Sequence, residues 1–260
     1  MRVSLIQLAV DPAEPADARR ARAAHLVREQ HAGDLVVLPE LWHIGAFAYE
    51  SFTRDAETVA GPTARAMAEA ACDAGVWLHA GSIAERPEPG GPVFNTSLIF
   101  SPAGELVRTY RKIHRFGFDQ GEAVLMSAGT EVVTVPLPET TLGLATCYDL
   151  RFPELFRALV DAGAQTLVVP AGWPERRREH WTLLARARAV ENQSYVLACG
   201  TAGTHAGVPQ AGHSLVVDPW GAVLAEAGHG EEVLTVDLDM AKVAKTREEF
   251  PALKDRVLGR

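Results

Sequence analysis

Thr141-Leu-Gly-Leu-Ala-Thr-Cys147-Tyr-Asp-Leu-Arg-Phe-Pro-Glu154 runs from an apolar strand through a lone cysteine into the start of a helix. Leu142, Leu144 and Ala145 read as the buried strand. Pro153 fits the first turn of a helix from Glu154 to Ala162, which Gly163 can close in a left-handed cap. The thiol therefore falls on a strand-to-helix elbow. Backbone N–H groups of such an elbow point at whatever the sulfur attacks, so charge developing on a carbonyl oxygen meets donors already in place. That geometry suits acyl transfer. A lone cysteine is equally at home as a small buried hydrophobe, and on this segment alone both readings stand.

Working outward, strands and helices alternate along the chain. Val3 to Val10 reads as a buried strand, Asp17 to His31 as a helix ending near Gly33, and Leu35-Val-Val-Leu-Pro-Glu40 as a second strand that leaves Glu40 at its carboxyl end. Pro62 to Ala74 is predicted helical and Val76 to Ile83 a strand, with Cys72 and His79 as core residues. The Pro- and Gly-rich segment Glu85 to Pro92 is a loop. Asn95 to Phe100 and Glu105 to Lys112 form a hairpin about Ser-Pro-Ala-Gly104. The design returns in His213 to Val217 and Ala222 to Glu226 about Asp-Pro-Trp-Gly221. This echo points to two sheet layers related by approximate symmetry. Thr166 to Gly172 is a strand, Trp173 to Glu179 a polar loop, His180 to Gln193 a helix, and Tyr195 to Cys199 a strand holding Cys199 in the core. Glu231 to Leu238 is the last strand. The expected fold class is α/β with sheets covered by helices, residues 1-260 forming a single domain and 240-260 a C-terminal helix and tail.

The chain has 260 residues, 47% of them hydrophobic, enough to bury a substantial core. Its net charge of -8 argues against nucleic acid or an anionic membrane as partner. The cysteines Cys72, Cys147 and Cys199 match no metal or redox spacing and no secreted disulfide framework. With neither a leader pattern nor a membrane-length apolar run, a cytoplasmic protein is expected. The nine histidines show no ligand-like cluster, and the Gly-rich segments lack the setting of a phosphate loop, so neither metal nor cofactor is expected.

Three strands end in residues able to do chemistry or line a site: Pro39-Glu40, Thr146-Cys147 and Pro170-Ala-Gly-Trp173. Carboxyl ends of strands are where α/β folds place ligands. A cysteine needs a base to become a thiolate at neutral pH, and no histidine partner stands beside this elbow. A carboxylate such as Glu40, buried beside the thiol, would have its pKa raised by desolvation and could shuttle a proton. Lys112, closing the first hairpin, could hold that geometry and stabilise an oxyanion. Taken singly, each charge has a plainer reading as a solvated surface group.

Together, Leu-Pro-Glu40-Leu-Trp, Tyr110-Arg-Lys112-Ile-His and Cys147-Tyr-Asp-Leu-Arg-Phe-Pro-Glu154 resemble, in order and spacing, the nitrilase superfamily of carbon–nitrogen hydrolases. The similarity extends through His180-Trp181, Arg186 to Gln193 and Asp218-Pro-Trp-Gly221. The resemblance implies an α-β-β-α sandwich. It makes Glu40 the general base, Lys112 the oxyanion stabiliser and Cys147 the nucleophile, with the Tyr148 N–H completing the oxyanion site. Glu122 matches a second glutamate that the family often carries. Arg115 stands where the family commonly has an apolar residue, so the pocket rim is expected to differ there.

True nitrilases typically carry Cys-Trp-Glu at the elbow, whereas Cys147-Tyr-Asp is similar to the branch that hydrolyses small amides. Within it, Ala171-Gly-Trp173-Pro followed by His180-Trp181 looks like bacterial omega-amidases, which release ammonia from 2-oxo dicarboxylic acid monoamides. Aliphatic amidase, deaminated glutathione amidase and N-carbamoyl amidohydrolase activities are the alternatives within the superfamily. A catalytically silent binding subunit is the alternative outside catalysis. Trp173 and Phe118 are expected to wall the pocket, and a cation among Arg176, Arg177, Arg178 and His180 to meet a substrate carboxylate. The family commonly pairs through helices next to the elbow, and Leu155, Phe156, Leu159 and Val160 give that helix more apolar surface than one sheet face must cover. A symmetric homodimer or larger even assembly is therefore expected.

Overall fold

Alternate residues of each central strand face opposite ways, and both faces are apolar. Leu35 and Val37 point into one buried layer with Val3, Leu5, Leu142, Leu144, Val168 and Leu197. Val36 and Leu38 point into another, with Ala23 and Val27 of one helix and Met67, Ala70 and Ala71 of a second. A strand with two apolar faces must be covered on both. The computed structural model, which describes residues 1–11 and 13–258, does this with two six-stranded sheets packed face to face and helices on both outer faces. The expected α-β-β-α sandwich is the fold observed.

The two sheets have one topology. The first runs Leu106–Arg111, Phe94–Phe100, Trp77–Glu85, Leu35–Val37, Arg2–Gln7, Glu232–Asp237. The second runs Val223–Glu226, Leu215–Val217, Tyr195–Gly200, Thr166–Ala171, Thr141–Leu144, Thr134–Pro136. In both, successive pairs are antiparallel, antiparallel, parallel, parallel and antiparallel. The hairpin echo in the sequence thus marks equivalent edges of two related sheets. The relation extends to Pro39-Glu-Leu-Trp42 and Pro170-Ala-Gly-Trp173, which leave equivalent strands.

Helices Ala16–Arg28 and Pro62–Ala74 cover the first sheet, and Pro153–Asp161 and Arg178–Asn192 the second. Most predicted boundaries hold within a few residues. The first strand splits, Arg2–Gln7 staying in the sheet while Ala9–Val10 pairs with Ala202–His205. Trp173 is buried, and a 3-10 turn, Glu175–Arg177, fills the expected loop. The C-terminal helix is Ala241–Glu249, and of the expected tail residues 259 and 260 lie outside the described residues.

Two expectations from side-chain pattern are corrected. Cys72 is exposed, because Ala70, Ala71 and Ala74 already occupy the sheet-facing side of its helix. The helix after the elbow has no surplus apolar surface: Leu155, Phe156 and Leu159 pack into the core with Trp181 and Ala185, and Val160 is buried too. Among the described residues no helix is long and apolar enough to cross a membrane.

Candidate active site

The chain reverses sharply after each strand that carries a chemical group. Cys147 has φ 48° and opens a 3-10 helix, Cys147–Arg151, in which Thr146 and Asp149 cap each other. Asp149 is fully buried and accepts four hydrogen bonds. They come from Thr146 N–H (2.9 Å), Tyr110 Oη (2.7 Å), His114 N–H (2.9 Å) and His114 Nδ1 (2.7 Å). These tie the residue before Cys147 to residues on both sides of Lys112. Glu40 sits in a turn beyond Leu35–Val37, where Leu41 also takes a positive φ of 45°. A bulge at Gly81 makes room for this turn: a Cβ there would lie 1.9 Å from Pro39 O.

These turns converge on a buried cluster. Lys112 Nζ lies 2.7 Å from Glu40 Oε1 and 2.6 Å from Glu122 Oε2. Asn95 Nδ2 donates to Glu40 Oε1 at 2.8 Å and to Glu122 Oε1 at 2.5 Å. Gly172 N–H closes on Glu40 Oε2 at 2.8 Å, and Phe116 N–H on Glu122 Oε2 at 2.8 Å. Cys147 Sγ lies 3.7 Å from Gly172 O. Only a glycine fits at 172, since a Cβ would stand 2.2 Å from that of Ala46.

Burial decides the charges. It pushes the Cys147 thiol well above its ordinary range, and Glu40 pushes the same way, while Lys112 opposes them. The resting thiol is therefore neutral and must lose its proton to a neighbour during reaction. Burial raises the Glu122 pKa, as does Glu40, against the pull of Lys112. Burial works against the Lys112 cation, yet Glu122, Glu40 and Cys147 outweigh it and hold the amine well above its usual value. One fixed cation thus serves two carboxylates, beside a thiol that can be deprotonated only locally. This is the equipment of covalent acyl transfer with a shuttled proton.

A narrow cleft opens onto the cluster. Its lining includes Glu40, Lys112, Glu122, Cys147, Tyr148 and Trp173, so six of the seven sequence-derived site residues meet in one place. Phe118 does not join them. It is 83% exposed and flanks an outer depression, because Gly117, at φ 124°, turns the chain away after Phe116. Phe116 takes the wall instead, edge-on to Tyr148 with ring centroids 5.4 Å apart. Arg115 is also absent from the rim. Its guanidinium bonds the carbonyls of Ala123 and Met126 and braces the segment that carries Glu122.

Of the loop cations, Arg177 lines the cleft, while Arg176 faces the outer depression. His180 instead contacts Arg151, a second guanidinium in the cleft wall, at 3.2 Å. Among the described residues neither Arg151 nor Arg177 has a carboxylate partner within 4.0 Å. Burial, then Arg176 and Arg151, lower the Arg177 pKa, a sign of positive charge gathered without a counterion. Sequence reasoning missed Asn95 and Arg151. The arginine of the Cys-Tyr-Asp-Leu-Arg run was the available signal for Arg151, whereas Asn95, followed by Thr96 and Ser97, gave none. Among the described residues no group of three or more His, Cys, Asp or Glu side chains is placed to hold a metal ion.

Fold and cluster together define a cysteine-dependent hydrolase. The chain belongs to the carbon-nitrogen hydrolase family, whose model matches residues 2–248. It is 42% identical to a 2-oxoglutaramate amidase of Paenarthrobacter nicotinovorans, over 98% of this chain and 88% of that one. Its structure is similar to that of Nit3 from Saccharomyces cerevisiae, a member of branch 10 of the nitrilase superfamily. That match has TM-score 0.90 and 32% identity, and covers 99% of this chain and 97% of the other. It is also similar, with TM-score 0.86 and 26% identity over 99% and 94% of the two chains, to an amidase from Nesterenkonia sp. AN1. A Glu-to-Gln mutant of that amidase carries the acetamide moiety of fluoroacetamide covalently on its active-site cysteine.

Proposed function

We propose that this chain is an omega-amidase, releasing ammonia from the terminal amide of a short 2-oxo dicarboxylic acid monoamide, with 2-oxoglutaramate its principal substrate. Cys147 Sγ attacks the amide carbon as its proton passes to Glu40, and Lys112 with the Tyr148 N–H holds the oxyanion. The first N–H groups of a helix have no partner within it, which leaves that of Tyr148 free for this use. The C–N bond then breaks, Glu40 returns the proton to the departing ammonia, and a thioester remains. Water, deprotonated by Glu40, attacks the thioester and frees the acid and the thiol. Glu122 fixes Lys112 throughout.

The observation that carries the substrate reading is the pair of guanidiniums, Arg151 and Arg177, that lie in the same small cleft as the thiol and have no carboxylate partner among the described residues. A carboxylate at the far end of the substrate supplies the counter-charge they lack. The match to a 2-oxoglutaramate amidase supports the same choice. A reducing, cytoplasmic setting suits a nucleophile that must stay a free thiol. Pairing into a homodimer remains part of the proposal. It is supported by the exposed Leu183 and Val190 of the helix Arg178–Asn192 and by the exposed Trp220 of the turn that this helix contacts through Arg186, rather than by the elbow helix itself.

The test is ammonia release from 2-oxoglutaramate, 2-oxosuccinamate, propionamide and butyramide by wild type and Cys147→Ala. We expect a higher kcat/KM on the carboxylate-bearing amides than on the neutral ones, and no turnover by the variant. Equal kcat/KM on butyramide would leave a general aliphatic amidase.

A further inference from the structure

Asn95 lies between the two carboxylates of the cluster, on a different element from either. It opens Phe94–Phe100, whereas Glu40 follows Leu35–Val37 and Glu122 begins Glu122–Leu125. The side chain is 3% exposed, and its Nδ2 is shared between Glu40 Oε1 and Glu122 Oε1 at 2.8 and 2.5 Å. Of the two ends of the Asn95 amide only the nitrogen can donate to carboxylate oxygens, which fixes the orientation of the group. Its Oδ1 is buried and has no hydrogen-bond partner among the described residues. The residue is placed by its nitrogen alone.

The donors around each oxygen are unequal. Among the described residues Glu40 Oε1 receives Asn95 Nδ2 and Lys112 Nζ, while Glu40 Oε2 receives Gly172 N–H. Glu122 Oε2 receives Lys112 Nζ and Phe116 N–H, and Glu122 Oε1 receives Asn95. Two buried carboxyl groups that can touch share one proton in an O–H···O pair and release it reluctantly. Here an amide nitrogen stands between the oxygens that would make that pair.

We infer that Asn95 is a positioning residue that keeps Glu40 and Glu122 from sharing a proton, so that the proton leaving Cys147 is received at Glu40 Oε2 and stays available to the departing ammonia. The inference rests on the catalytic roles proposed above for Glu40 and Cys147, and it deepens them. The other titratable or charged groups of the cleft are Lys112, Tyr49, Tyr148, Arg151 and Arg177. All of them remain in place when Asn95 alone is replaced.

The experiment compares wild type, Asn95→Ala and Asn95→Asp in two measurements. One is kcat/KM against pH on 2-oxoglutaramate. The other is the rate of Cys147 alkylation by iodoacetamide between pH 6 and 8, which needs no substrate. Without the spacer the two carboxyls couple and hold their proton to higher pH. The acid limb should move up by about one pH unit in Asn95→Ala, and further in Asn95→Asp, where a third carboxyl joins the cluster. Alkylation should slow by up to about tenfold along the acid limb, where one unit is tenfold in available base. KM should change by less than about threefold, because Asn95 is not in the cleft wall. A folded Asn95→Ala protein whose acid limb and alkylation rate overlie those of wild type would overturn the inference. Should the alanine variant not fold, Asn95→Asp, of equal size, carries the same comparison. Failure of the amidase reading is distinguishable, since it appears as no ammonia release by wild type, whereas the alkylation comparison still decides the role of Asn95.

Discussion

Lys112 Nζ stands 2.7 Å from Glu40 Oε1 with both side chains almost wholly buried, at 1% and 2% exposure. Neither charge has water to fall back on. In Lys112→Met two carboxylates would remain in apolar surroundings without their cation. Breaking a buried pair from one side costs about 3–5 kcal/mol, and losing an oxyanion donor costs about 10²–10³ in kcat. Urea unfolding and ammonia release should both show the loss. A variant with wild-type stability would mean that Glu40 and Glu122 are not held as ions by Lys112.

The thiol makes a separate prediction. Burial and Glu40 hold the Cys147 pKa well above 9, so in the free protein the thiolate fraction keeps growing past that pH. Alkylation by iodoacetamide should still be rising at pH 9.5. A plateau below pH 7, the mark of a pre-formed thiolate, would contradict the neutral resting thiol and the need for Glu40 as its base.

These two arguments also show what the sequence could and could not disclose. Cys147 and Glu40 were legible because each closes an apolar strand, and strand ends are where this class of fold gathers chemistry. The sandwich was legible because its central strands are apolar on both faces. Glu122 was harder. It sits in a four-residue helix, Glu122–Leu125, too short to leave a periodic signal, and only resemblance pointed to it. Phe118 was misjudged because a single glycine, Gly117 at φ 124°, exchanges the inward residue for its neighbour but one. Asn95 stood at a strand start with nothing local to set it apart. Its meaning comes from two glutamates 55 and 27 residues away.

Three buried histidines give the protein a pH-dependent stability. Burial lowers the pKa of His43 to about 3, and those of His79 and His205 to about 4. Each folded value lies below that of the unfolded chain, near 6.5, so below pH 6.5 the unfolded state binds protons that the folded state refuses. The stabilisation is complete above that pH and is lost as pH falls toward 4. Each group contributes up to about 1.4 kcal/mol per pH unit, so a loss of several kcal/mol is expected between pH 6.5 and 5, above the carboxylate range. Urea midpoints at pH 7.5, 6 and 5 measure it. In His79→Asn, which keeps an acceptor for Gly81 N–H, the slope should drop by roughly a third. A flat profile would mean that the three rings titrate normally.

The distal carboxylate of the proposed substrate has two possible anchors, and they can be separated. Arg151 is already engaged, lying 3.2 Å from His180 Nδ1 and with its guanidinium 5.0 Å from the Trp173 ring centroid. The Arg177 guanidinium rests 5.1 Å from the Phe116 ring centroid, and it is absent from the side-chain hydrogen bonds of the described residues. Arg177 is thus the freer fork for a bidentate carboxylate, and Arg151 supplies field more than contact. Arg177→Met should lower kcat/KM on 2-oxoglutaramate by about ten- to a hundredfold, the worth of a charge-assisted hydrogen bond of about 1.5–3 kcal/mol. Arg151→Met should cost less. Neither change should matter for butyramide, which has no carboxylate to lose. The decisive quantity is the ratio of kcat/KM on the two amides. If Arg177→Met depresses both substrates equally, the residue shapes the cleft and does not read the carboxylate. If Arg151→Met shows the larger selective loss, the order of the two anchors is reversed.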